Sequence, residues 1–432
     1  MKDALVTWLK RVMVILPISA LAGTLLLTLA FCIPTKPMFR KAAVSLDDMI
    51  RSAEDMEEGS FSRYLWGHKE TYTDAIMVQN AIESREERNA FEEAMWVYHS
   101  DLNPDFWTPE ESLKAYCTQT WEGEVYTYTY ARYWHGYLIY LKPLMLLFSW
   151  KQLVILGAVL QLMMLAAVVI LAVKKRQAGI GIALLAGFFY MKPIIVMASL
   201  TMAVCNVIML GALLVILSRH DWLKENGRYA ILFLLIGILT AYFDFLTYPI
   251  VTLGFPLCAY FLMEEGERMG GSLKKLTGYS ISWGVGYAGM WALKWVIADI
   301  TLHTGTIKDA LWSILGRTEV IGGRPRLNGG FYTISLNLQE YDSAVYGIGA
   351  VLLGIAALAA VIVAVRKVGV KPVLARVFLF AIVFCIPFVW IIVVQHHSAL
   401  HARFTFRIIS IAAMALCCIS IGAVRQCRKA DA

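Results

Sequence analysis

Apolar runs of bilayer length recur along this 432-residue chain, and nothing else in the sequence restricts its fold so strongly. A transmembrane helix needs about 20 consecutive apolar residues. Val14 to Ile33 is the first such run, and Leu153 to Val173 the second. Ile180 to Leu217 is too long for one helix, and Lys192-Pro193 divides it into two spans. Tyr229 to Tyr248 and Ile250 to Met263 are joined by a tight turn at Pro249, and Thr277 to Ala298 follows. Ala344 to Val365, Val377 to Val394 and Ile408 to Val424 complete the series. Inside a bilayer the backbone must satisfy its own hydrogen bonds, which leaves helices or closed barrels, and runs of this length are helical. The expectation is an all-α integral membrane protein of about ten transmembrane helices. Composition agrees: 16% of residues are charged, against about 25% in soluble domains.

Charge sets the direction of the spans. Lys2, Lys10 and Arg11 precede the first run, and Lys174-Lys175-Arg176 closes the second. Arg219, Lys224 and Arg228 mark one intervening loop, and Arg268, Lys274 and Lys275 another. Arg366, Lys367, Lys371 and Arg376 mark a third, and Arg425, Arg428 and Lys429 follow the last run. Cytoplasmic loops hold such excess, so the chain is expected to be multi-pass in the cell membrane with both termini cytoplasmic. The formal charge of +7 is thereby accounted for without nucleic acid.

The chain divides into residues 1–33, an extracytoplasmic loop with juxtamembrane helices at 34–150, spans at 151–298, a second outer loop at 299–343, and final spans and tail at 344–432. Residues 34–142 carry 19 Asp/Glu against 11 Lys/Arg and alone have a soluble composition. The loop reads as mainly helical. Ser45 to Glu58 is a short helix opened by Ser45, and Thr73 to Trp96 gives one or two helices. Thr108-Pro109-Glu110-Glu111 is a helix start with Thr at the cap, Pro in the first turn and Glu three residues on. The tyrosine-rich Glu124 to Tyr137 suits the membrane surface, and Tyr137 to Trp150, interrupted by Lys142-Pro143, an interfacial or re-entrant helix.

Candidate chemistry gathers on the outer side. Asp74, within Glu70-Thr-Tyr-Thr-Asp74-Ala-Ile-Met, lies where a polar strip becomes an apolar helix. It could bind a divalent metal or take a hydroxyl proton, or it could simply cap a helix. Arg132-Tyr-Trp134-His135-Gly places an arginine among aromatics, suited to a phosphate, with His135 as acid or base. His396-His397-Ser-Ala-Leu-His401-Ala-Arg403-Phe-Thr-Phe-Arg407 puts positive charge on an outer turn, at the depth of a lipid phosphate. Asp244, Lys294 and Lys192 are charges within apolar runs, so they face a cavity or one another. Gly322 to Gly330 reads as a mobile outer loop, with Arg324 and Arg326 beside it for phosphate.

This organisation resembles the GT-C superfamily of membrane glycosyltransferases, on the strength of the polytopic bundle, the large first outer loop and these residues. The resemblance implies that a first-loop carboxylate, here Asp74, acts as base or holds Mg or Mn. It also implies that Arg132, Arg403 and Arg407 hold the phosphate of a polyprenyl-phosphate sugar donor. Trp134, His135, Asp244, Lys294, His397 and His401 would line the substrate cavity. The reaction would move the sugar to an envelope acceptor at the outer face of the lipid bilayer. Two other functions fit the same sequence: a transporter or flippase for lipid-linked substrates, with Asp244 and Lys294 along its path, and a non-catalytic envelope-assembly protein. The test between them is whether Asp74 meets Arg403 or Arg407 in one cavity.

Overall fold

A computed structural model describes residues 2–54, 71–85, 87–102, 108–118, 123, 125–264, 269–303 and 305–431. It is almost entirely helical. In order, α1 is Lys2–Phe31, α2 Lys36–Glu54, α3 Tyr72–Ile82, α4 Ala90–Trp96, α5 Pro109–Thr118 and α6 Leu138–Met145. Then come α7 Trp150–Lys174, α8 Ala178–Phe189, α9 Pro193–Met197, α10 Leu200–Lys224, α11 Arg228–Phe243, α12 Val251–Met263 and α13 Met269–Leu302. The last are α14 Thr306–Thr318, α15 Arg326–Gln339, α16 Ala344–Val368, α17 Val370–Val393, α18 Gln395–Leu400, α19 Ala402–Thr405 and α20 Ser410–Asp431.

Among the described residues six apolar segments are long enough to cross a membrane: Leu5–Phe31, Trp150–Lys174, Leu200–Phe243, Ala344–Val368, Val370–Val393 and Ala402–Arg428. The third is two helices, α10 and α11, broken where Asn226 and Gly227 take φ of 51° and 69°. The chain is therefore an all-α membrane protein. The surface of α16 shows why water is excluded as its surroundings: Val345, Ile348, Val351, Leu352, Ile355 and Leu358 all lie exposed along it. A soluble protein rarely exposes so continuous an apolar face.

Close backbone approach holds the bundle together. A Cβ on Gly237 of α11 would stand 2.1 Å from the Trp283 carbonyl oxygen, and one on Gly286 of α13 would stand 2.1 Å from that of Leu234. Small residues permit this van der Waals packing where lipid offers no hydrophobic drive between helices. At one edge, Glu264 pairs with Lys224 at 2.7 Å and Lys275 at 3.6 Å, and Arg11 donates to the Asn226 carbonyl. At the other, Arg132 meets Asp309, Lys192 meets Asp342, and His397 meets Leu246. These contacts join segments that the charge pattern assigns to a common side.

The first loop differs from its sequence reading in two places. Its second helix runs Lys36–Glu54, so Ser45 lies inside it; the Ser45 hydroxyl donates to Lys41 O at 2.7 Å and accepts from Trp150 N at 2.8 Å. The tyrosine-rich segment forms a strand, Val125–Thr129, antiparallel to Tyr98–Leu102, with Tyr98 opposite Thr129 and Leu102 opposite Val125. Alternating Tyr and Thr favour a pleated strand. The expected α5 start is present: Thr108 N donates to Glu111 Oε2 at 2.8 Å and Glu111 N to Thr108 Oγ1 at 3.3 Å. Glu70, and the end of the helix expected to reach Glu58, lie outside the described residues.

Candidate functional site

Asp74 is fully buried in the first turn of α3. Its Oδ1 accepts from Thr201 Oγ1 at 2.7 Å, Thr201 N at 2.9 Å and Ser199 Oγ at 3.0 Å. Its Oδ2 accepts from Leu200 N and Trp150 Nε1, both at 3.0 Å. Burial pushes this carboxyl above the usual range, and the Leu200, Thr201 and Trp150 donors oppose the shift. Asp74 therefore caps a helix, but not its own: its charge sits on the amino terminus of α10, more than a hundred residues away in sequence. All these partners are N–H or O–H donors, a set suited to a carboxylate and unsuited to a metal. Among the described residues no three His, Cys, Asp or Glu side chains come together as a metal cage. None of the partners belongs to the turn His396–Arg407, so the expected meeting of Asp74 with Arg403 or Arg407 is not made.

Three other expected site residues have structural partners. Lys294 is fully buried and donates to Met95 O at 2.7 Å and Ala94 O at 3.2 Å, closing the carboxyl end of α4. Asp244 accepts from Thr247 Oγ1 at 2.5 Å and Thr247 N at 3.0 Å. Lys192 meets Asp342 at 3.5 Å. The pairing of Asp244 with Lys294 or Lys192 is thus replaced by three separate local contacts. Trp134 is buried, with Nε1 donating to Met290 O at 2.7 Å. His135 engages Tyr137 Oη at 3.0 Å and Tyr130 O at 3.2 Å, and burial lowers its pKa to about 3. It is a neutral packing group rather than an acid. Gly136 follows it because a Cβ there would lie 2.3 Å from the Tyr242 ring and 2.5 Å from its carbonyl oxygen.

What the structure does assemble is a pocket of about 380 Å³ between the carboxyl-terminal halves of α13 and α17, walled by α14. Arg132, Arg317, Tyr287, Trp291, Trp295 and Trp390 are among its lining residues. Arg132 Nη1 binds Asp309 Oδ2 at 2.7 Å, and Trp295 Nε1 donates to Arg132 O at 2.9 Å. Arg317 donates from Nε to Ser313 Oγ at 3.1 Å and from Nη2 to Tyr133 Oη. Yet Arg132 Nε, Arg317 Nη1, Tyr287 Oη and Trp291 Nε1 are buried without a hydrogen-bond partner among the described residues. Each such group costs about 1–3 kcal/mol when unmet, and all four belong to residues that line this one pocket.

The histidine turn adjoins this pocket through one contact. His397 engages the carbonyl of Leu246, a lining residue, at 3.1 Å, and the His397 and His401 rings lie 4.7 Å apart. Burial first, then Arg317, pushes both imidazoles down, His397 to about 3. Arg403 is exposed beside them. Arg407 is buried, donating to the carbonyl of Arg403. Of the expected phosphate ligands, then, Arg132 lines the pocket and Arg403 and Arg407 do not. Arg317, Tyr287 and Trp291 were missed. Arg317 alone carried a signal, a basic residue on an outer segment where the topology rule disfavours it.

The Gly322 to Gly330 segment is mostly ordered helix. A turn at Ile321–Gly323 leads into α15, whose Arg326 donates to Val393 O at 3.2 Å while Arg324 stacks over Tyr332 at 4.0 Å. No family model, no curated protein and no solved structure matches the chain.

Proposed function

We propose that this protein takes a phosphate-linked lipid from the outer leaflet and uses it as the donor in a membrane glycosyltransfer, the lipid being a polyprenyl-phosphate sugar. The observation that carries the reading is the pocket where Arg132 and Arg317 stand with unmet donors beside Tyr287 and Trp291. Guanidinium groups match phosphate oxygens, and aromatic walls suit an amphipathic carrier. Position supports it too, since the pocket opens between bilayer-crossing helices, where a lipid arrives without leaving the membrane. We count ten crossings, α1, α7, α8, α10, α11, α12, α13, α16, α17 and α20, with both termini cytoplasmic in the cell membrane.

In the reaction, the bond from the sugar's anomeric carbon to the carrier phosphate breaks and one to an acceptor oxygen forms. Arg132 and Arg317 stabilise the charge that collects on the departing phosphate. The acceptor's proton needs a base, and Asp74, closed in by five donors, is not placed to serve. We assign that role to His401, whose ring lies 4.7 Å from that of His397 and whose ring nitrogens make no hydrogen bond among the described residues. The transporter reading relied on Asp244 and Lys294, which are each engaged locally. Mass spectrometry of the copurifying lipid tests the proposal: a polyprenyl phosphate that is lost in Arg317→Gln supports it, and its absence from the unaltered protein rejects it.

A further inference from the structure

The two helices of the second outer loop are inside out. In α14, Thr306, Ala310, Ser313 and Arg317 recur at i, i+4, i+7 and i+11 and face the protein; Thr306 and Ala310 are buried. The face turned away carries Leu311, Trp312 and Leu315, exposed by 54%, 66% and 58%. In α15 the buried face is Gly329, Gly330, Thr333 and Asn337, while Leu327, Phe331 and Leu338 stand 64%, 64% and 46% exposed.

The inward faces are polar because they are hydrogen-bonded. Asn337 Nδ2 donates to Ser398 O at 2.9 Å, and Thr405 Oγ1 donates to Asn337 Oδ1 at 2.7 Å. Gln395 Nε2 donates to Arg326 O at 2.9 Å. Arg317 and Asp309 tie α14 to Tyr133 and Arg132. A water-facing helix shows the reverse pattern, with its apolar stripe buried. Here the apolar stripe is turned outward on both helices, so the medium outside them is apolar.

We infer that α14 and α15 lie in the outer leaflet, their exposed apolar faces seated at the boundary of head groups and acyl chains. Length decides how they sit. Thirteen and fourteen residues give roughly 20 Å of helix, short of the ~30 Å hydrocarbon core, so neither spans. Lys308 and Asp309 on α14, and Asn328 and Ser335 on α15, are exposed at the edges of the apolar stripes, where a helix in the interface meets head groups. The lipid surface is also continuous: Ile300, 70% exposed near the end of α13, leads into Ile307 and Leu311 of α14. Residues 306–339 are therefore part of the membrane-embedded body rather than an aqueous loop. Through Ala310, Ser313, Ile314 and Arg317, α14 forms one wall of the arginine pocket at leaflet depth.

The test is site-specific photo-crosslinking of the full chain in phosphatidylcholine–phosphatidylglycerol nanodiscs. Benzoylphenylalanine replaces Trp312 in one variant and Phe331 in another, exposed aromatic positions where the exchange leaves packing intact. Seating in the leaflet predicts phospholipid adducts at both positions on illumination. Adducts to a second copy of the chain, or to another protein, would show a protein interface instead. Absence of any adduct in folded protein would show a water-facing surface. Either result overturns the inference, and neither bears on whether Arg317 holds a phosphate.

Discussion

Asp74 and Thr201 are joined twice: one carboxylate oxygen takes both the backbone N–H of Thr201, at 2.9 Å, and its hydroxyl, at 2.7 Å. This contact ties the first polar loop to the start of α10, part of an apolar segment long enough to cross a membrane. Trp150 Nε1, on the other oxygen, brings in the start of α7. Asp74 is thus the junction of three helix amino-terminal regions, those of α3, α7 and α10.

Asp74→Asn turns one carboxylate oxygen into an amide that faces donors. The loss of acceptor capacity in a buried site is expected to cost about 2–4 kcal/mol. Thermal unfolding in detergent should show a clear drop in midpoint. Lipid bound at the arginine pocket should persist in whatever fraction remains folded. Unchanged stability with abolished transfer would return Asp74 to a catalytic role.

Lys294→Met removes the ammonium that serves the carbonyls of Ala94 and Met95. Two buried acceptors left unmet cost about 1–3 kcal/mol each. Faster limited proteolysis within residues 83–130 is expected, with α13 itself intact.

Gly136→Ala places a methyl group within 2.5 Å of the Tyr242 ring and carbonyl oxygen, with backbone on one side and a packed ring on the other. Overpacking of this kind costs about 1–3 kcal/mol or more. Reduced yield of folded protein is expected, partly restored by Tyr242→Leu.

His135 and His397 have folded pKa values near 3, below their ordinary 6.5. The unfolded chain therefore binds more protons between those limits. Their stabilising contribution is complete above about pH 6.5 and falls as pH drops below it, by up to ~1.4 kcal/mol per pH unit for each histidine. Thermal midpoints from pH 7.5 to 5 should decline, and His397→Gln should flatten the decline. An equal slope in that variant would place the titration elsewhere.

The membrane-protein class was legible because the length of an apolar run follows from bilayer thickness alone. The α5 cap was legible too, since Thr108 and Glu111 act within one turn. The site was not. Asp74 announced a helix start, but nothing in its neighbourhood could say that the start belonged to Leu200. Lys294 and Asp244 read as a pair because both are charged within apolar runs, yet a lysine reaches carbonyl oxygens as readily as a carboxylate. Arg317 and Tyr287 come to one pocket only through tertiary packing, and α14 was read only as part of a loop.

Whether Arg317 and its pocket hold a lipid phosphate, as proposed, is read most directly by native mass spectrometry of protein released from native membrane discs. One bound lipid of polyprenyl-phosphate mass is expected on the unaltered chain. In Arg317→Gln, loss of a charge-assisted contact should reduce that occupancy roughly tenfold or more, with folding and bulk phospholipid unchanged. Equal occupancy in both proteins, or only bulk phospholipid on either, would contradict it.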